Sequence, residues 1–76
     1  MKPEYLATMA NEIGAFFAAE PDREQVARAI ANHLKRYWDP RMRRQIVAQY
    51  REGGEGFSED VRRAVELLAA EPPPAG

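Results

Sequence analysis

Helix-breaking residues recur along this chain at short intervals, and they leave it little choice of architecture. The breaks fall at Glu20-Pro21-Asp22, at Asp39-Pro40, at Gly53-Gly54-Glu55-Gly56 and at Glu71-Pro72-Pro73-Pro74-Ala75-Gly76. Proline fixes φ, lacks an N–H and disfavours helical geometry at the residue before it, so no straight helix passes through such a point. Glycine readily takes the left-handed conformation that ends helices. Between the breaks the apolar residues recur at helical spacing, and no alternating strand pattern or internal repeat is present. The reading is an all-α fold, a small bundle of about four short helices. The helical domain covers residues 1–70, and 71–76 form an extended or disordered Pro-rich tail.

The first helix is predicted from Pro3 to Ala19, with Pro3 at a first-turn position where its missing N–H is not needed. Leu6, Met9, Ile13 and Phe16 or Phe17 give its apolar face. Gly14 costs that helix about 1 kcal/mol against alanine, which implies close approach of another helix, within the domain or from a partner. The second helix spans Arg23 to Tyr37. Asp22 is its N-cap, with Gln25 completing a capping box. Val26, Ile30 and Leu34 form its stripe. Asp39 and Pro40 are N-cap and first residue of the third helix, which carries Met42, Ile46, Val47 and Tyr50 on one side. Ser58 caps the fourth helix, striped by Val61, Ala64, Val65 and Leu68, and Phe57 is placed to pack on Val61 or Arg62.

A chain of 76 residues is one small domain. At this length it buries only about 60% of its unfolded surface, so its own stability is marginal. There is no cysteine, hence no thiolate metal site, disulfide or cysteine nucleophile. No stretch reads as a signal peptide or a transmembrane helix, so no membrane association is expected. Glycine-rich phosphate loops, HExxH and a plausible Ser–His–Asp set are also missing. His33 is the lone histidine and has no acid at i±4, so a ligand or general-base role is disfavoured and a contact role is the better reading.

Net charge is −1, but it is unevenly spread. Residues 35–51 hold Lys35, Arg36, Arg41, Arg43, Arg44 and Arg51 against Asp39 alone. Such a centre can meet an acidic protein face or phosphate, or it can be a solvated surface with local pairs such as Arg51 with Glu52 or Glu55. Trp38, the only tryptophan, sits at its heart. A Trp beside several Arg is the chemistry of a protein–protein hot spot, and equally of a buried corner between two helices. Arg41 and Arg44, three apart, can make forked bonds to carboxylates across a boundary. Asn11 can satisfy a backbone group of a partner or simply face solvent.

Several blocks taken together resemble a known family. They are Met9-Ala10-Asn11 with Ile13 and Phe16-Phe17; Ala29-Ile30-Ala31-Asn32-His33-Leu34; Tyr37-Trp38-Asp39-Pro40-Arg41-Met42-Arg43; and Gly53-Gly54, Gly56 and Val61-Arg62. The sequence is similar, from about Leu6 to Leu68, to the small delta subunit of soluble NAD-dependent formate dehydrogenases that contain molybdenum or tungsten. The resemblance implies a non-catalytic accessory subunit of a cytoplasmic complex that oxidises formate and reduces NAD. It implies docking on an alpha subunit that carries molybdopterin guanine dinucleotide and iron–sulfur clusters, beside flavin- and NAD-handling beta and gamma subunits with FMN. This chain itself is expected to hold no cofactor and no metal. The expected partner-binding residues are Asn11, His33, Trp38, Asp39, Pro40, Arg41, Arg43 and Arg44. The alternative is a free-standing helical adaptor, or a nucleic-acid-binding module using residues 35–51.

Overall fold

The computed structural model describes residues 3–70, with side chains from Tyr5 onward. The expected tail at 71–76 lies outside the described residues. Four helices follow one another: α1 (Pro3–Phe17), α2 (Arg23–Tyr37), α3 (Pro40–Arg51) and α4 (Glu59–Ala70). The fold is all-α, as the breaks and the apolar spacing require.

α1 ends at Phe17, before the predicted Ala19. The chain tightens there: the Ala18 N–H donates to Ala15 O and the Glu20 N–H to Phe17 O. Arg23 secures the bend by donating to the carbonyls of Ala18, at 3.0 Å, and of Glu20. The other arm of its guanidinium reaches Asp60 Oδ2 at 3.0 Å, so one side chain joins the end of α1, the start of α2 and the start of α4. Asp22 caps α2 by accepting from the Glu24 N–H. The predicted return bond from Gln25 is replaced: Glu20 Oε1 accepts the Asp22 N–H at 3.3 Å. The bend after α1 brings Glu20 over that N–H, while Gln25 stays exposed.

Asp39 caps α3 by accepting the Met42 N–H at 2.9 Å, with Pro40 at the first turn. At the other end the Gly54 N–H donates to Gln49 O at 2.8 Å and the Gly53 N–H to Tyr50 O at 3.1 Å. This pair of crossed bonds is a Schellman closure, and it satisfies carbonyls that a helix end leaves orphaned. Ser58 Oγ accepts the Val61 N–H at the start of α4.

The core contains Leu6, Val26, Ile30, Leu34, Ile46, Val61 and Val65, all fully buried. α4 is the hub. It packs most extensively on α2 and also meets α1 and α3, whereas α2 and α3, neighbours in sequence, hardly touch. Gly14 explains how α1 comes so close. A Cβ there would stand 3.3 Å from Val61 Cγ2 and 3.4 Å from Ile30 Cδ1. The close approach foreseen for this glycine is therefore internal.

Tyr50 and Glu66 tie α3 to α4 through a 2.9 Å bond from the phenol to Glu66 Oε2. That bond, then burial and the Glu66 charge, raise the phenol's pKa above its usual 10.0, with Arg62 opposing. The fold thus favours the protonated phenol. Its contribution is fully present below the ordinary tyrosine pKa and is lost as pH rises through the higher folded value. Denaturation of wild type and Tyr50→Phe at neutral and at strongly alkaline pH checks this. The stability gap between them should narrow at high pH, and a constant gap would contradict the linkage.

Candidate functional site

α1 and α2 leave an open groove between them, of about 500 Å³, lined by Met9, Glu12, Ile13, Phe16, Phe17, His33 and Trp38. Aromatic rings run along it in sequence. Phe16 meets Phe17 edge-on at 5.2 Å, Phe17 meets His33 at 6.3 Å, and His33 meets Tyr37 at 4.7 Å. Phe16 is 81% exposed and Tyr37 71%. Single exposed apolar residues are ordinary, but a contiguous aromatic run beside a groove marks a contact surface.

Trp38 is only 7% exposed and belongs to the core, where it follows the last turn of α2. The domain therefore holds nearly all of its ring, and what remains uncovered contributes to the groove. The choice left between Phe16 and Phe17 falls to Phe17. Phe16 and Phe17 are adjacent, so on a helix they point about 100° apart and cannot share one core face. Phe17 packs on the core and Phe16 is left outside.

The arginines divide by role. Arg41 and Arg44 are exposed on α3. Arg43 is half-buried and donates to Lys35 O at 3.2 Å, which closes a carbonyl at the end of α2. Its guanidinium is engaged inside the domain. Asp39 is likewise engaged as a cap, while Pro40 is exposed. Arg51 forms no ion pair with Glu52 or Glu55 among the described residues.

Asn11 does satisfy backbone groups, but they belong to this chain. Its Nδ2 donates to Gly56 O at 2.8 Å and its Oδ1 accepts from the Ser58 N–H at 2.9 Å. Arg62 holds the same loop from the other side, donating to Gly53 O at 3.0 Å and to Gly54 O at 3.1 Å. So Asn11, Gly53, Gly54, Gly56 and Arg62, scattered in sequence, form one latch over the α3–α4 loop. His33 and Trp38 are the expected partner residues that meet in the groove, and Asn11 and Arg43 serve the fold. Sequence reasoning placed Met9, Ile13 and Phe16 or Phe17 on the apolar face of α1, where Met9, Ile13 and Phe17 do pack against the core, and had nothing to say of Glu12 as a groove residue. The adjacent pair Phe16-Phe17 and the i, i+4 pair His33 and Tyr37 were the available signals.

Among the described residues no group of three or more His, Cys, Asp or Glu is gathered as a metal site, and no helix is long and apolar enough to cross a membrane. No curated protein and no solved structure matches the chain. A family model does: that of the NADH-dependent formate dehydrogenase delta subunit FdsD, over residues 5–65. That span includes every residue lining the groove, the Trp38 corner and the whole latch, and the chain belongs to the NADH-dependent formate dehydrogenase delta subunit family.

Proposed function

We propose that this delta subunit is a non-catalytic accessory protein of a cytoplasmic formate dehydrogenase, docking on the alpha subunit to support assembly, stability or cofactor retention. The observation that carries the reading is the unpartnered aromatic surface at the groove, next to a helix that presents Arg41 and Arg44 outward. The side chains do not suit the complex's own redox groups. There is no cysteine for an iron–sulfur cluster, and the glycine turn is committed to closing α3. Molybdopterin guanine dinucleotide, iron–sulfur clusters and FMN are assigned to the other subunits, with beta and gamma handling flavin and NAD. A partner that binds only the folded domain raises its apparent stability by mass action. Thermal melts with and without the alpha subunit test the docking, and an unchanged midpoint at saturating partner would remove it.

The arginines give a second test. Exposed ion pairs contribute little unless an interface desolvates them. The double variant Arg41→Ala/Arg44→Ala should keep the isolated domain's helicity and melting temperature. It should bind the alpha subunit more weakly and with a smaller dependence on salt. Affinity measured at two ionic strengths decides. Wild-type affinity and salt response in the double variant would leave these arginines as a solvated face.

A further inference from the structure

We propose that the groove between α1 and α2 receives an amphipathic helix of the catalytic subunit, with one large apolar side chain seated toward Trp38 and carboxylates turned toward Arg36. This rests on the accessory-subunit reading and adds the place of contact and the chemistry of the occupant. The shape is that of a helix-in-groove site. Met9, Ile13 and Phe17 succeed one another at i, i+4 and i+8 along the α1 wall, a rise of about 12 Å, which matches roughly two turns of a third helix. The aromatic rims, Phe16 and Tyr37, are the residue types that anchor such contacts.

The two walls differ in charge. Glu12 lines the groove from α1. Lys35 and Arg36 lie in the last turn of α2, and exposed Arg36, one turn beyond His33, flanks the groove without lining it. A carboxylate on the incoming helix is repelled by Glu12 and attracted by Arg36, so the groove fixes which side of that helix is acidic. A second copy of this chain is a poor occupant. On its acidic helix, α4, Asp60 is already paired with Arg23 and Glu66 with Tyr50, which leaves Glu59 in the first turn as its one carboxylate to offer.

The experiment uses the assembled dehydrogenase complex and the separately purified delta and catalytic subunits. A photo-crosslinking phenylalanine analogue at Phe16 should capture a helical segment of the catalytic subunit that carries a large apolar residue and, one turn away, Asp or Glu. Phe16→Ser and Arg36→Glu should each weaken binding by about tenfold or more with an unchanged melting temperature, and Arg36→Gln should weaken it less than Arg36→Glu. Full affinity in the Phe16→Ser/Arg36→Glu double variant, with wild type binding normally, overturns the groove and leaves the accessory reading standing. Crosslinks to a second delta chain also overturn it. Failure of wild type itself to bind the catalytic subunit removes both.

Discussion

Replacing Trp38 with alanine should destabilise the isolated domain by about 3–5 kcal/mol, the range for truncating a buried Trp or Phe to alanine. Trp38 sits at the turn from α2 into α3, where its backbone N–H closes α2 on Leu34 O and the next residue caps α3. Removing the ring leaves a hole at a corner that two helix ends already constrain, so collapse around it is limited. In a domain of this size each kcal/mol lowers the melting temperature by about 4–8 °C, so the variant should be largely unfolded well below the wild-type midpoint. Trp38→Phe should recover much of the loss by refilling part of the volume. Thermal melts of the isolated domain check both. Wild-type melting of Trp38→Ala would show the ring to be dispensable for the fold, and would return it to the interface.

The second large effect should come from Gly54. Its φ is +63°, and a Cβ would fall 2.9 Å from Arg62 Nη1 and 3.3 Å from Phe57 Cδ2. A β-branched residue at positive φ costs on the order of 1–3 kcal/mol by itself. Displacing the guanidinium forfeits two bonds from a charged donor, about 1.5–3 kcal/mol each. Gly54→Val should therefore cost roughly 3 kcal/mol or more. Arg62→Ala isolates the guanidinium's share. Because both substitutions break the same contacts, their effects should fall short of additive when Arg62→Ala is combined with Gly54→Val. Chemical denaturation of the two single variants and the double variant supplies the cycle. Strict additivity would mean that the glycine and the arginine act independently.

The helix boundaries were legible because local chemistry sets them. Asp39-Pro40 caps and starts α3 by its own geometry, and Gly53-Gly54 closes it, whatever the rest of the chain does. The latch was not legible as a contact. Asn11 reaches Gly56 and Ser58 across more than forty residues, and only the packing of α1 beside α4 brings them together. The resemblance did draw attention to the right blocks, since Met9-Ala10-Asn11, the glycines and Val61-Arg62 turn out to share one structural unit. The groove was not legible because helical periodicity identifies an apolar face but not its width. α1 carries more apolar surface than the bundle can cover, so Leu6 and Ala10 enter the core while Phe16 stays outside. The internal bonds of Asn11 and Arg43 were not legible either, because a polar side chain that the fold uses has the same letters as one that a partner uses.

The hub position of α4 has a consequence for the order of events at the ribosome. Of the four helices it is the last to be synthesised, yet it holds the most extensive helix–helix contact of the fold, the one with α2. α2 and α3 cannot substitute by docking on each other, since they hardly meet. Until α4 emerges, α1 can meet α2 and α3, but α2 lacks the helix it packs on most extensively, a state open to chaperones and to misassociation. Once α4 arrives, its Val61 packs against Gly14 of α1 beside Ile30 of α2 and fixes how the two walls of the groove sit. A partner that reads this groove therefore engages only chains whose synthesis has passed α4, which makes the last helix a checkpoint for assembly.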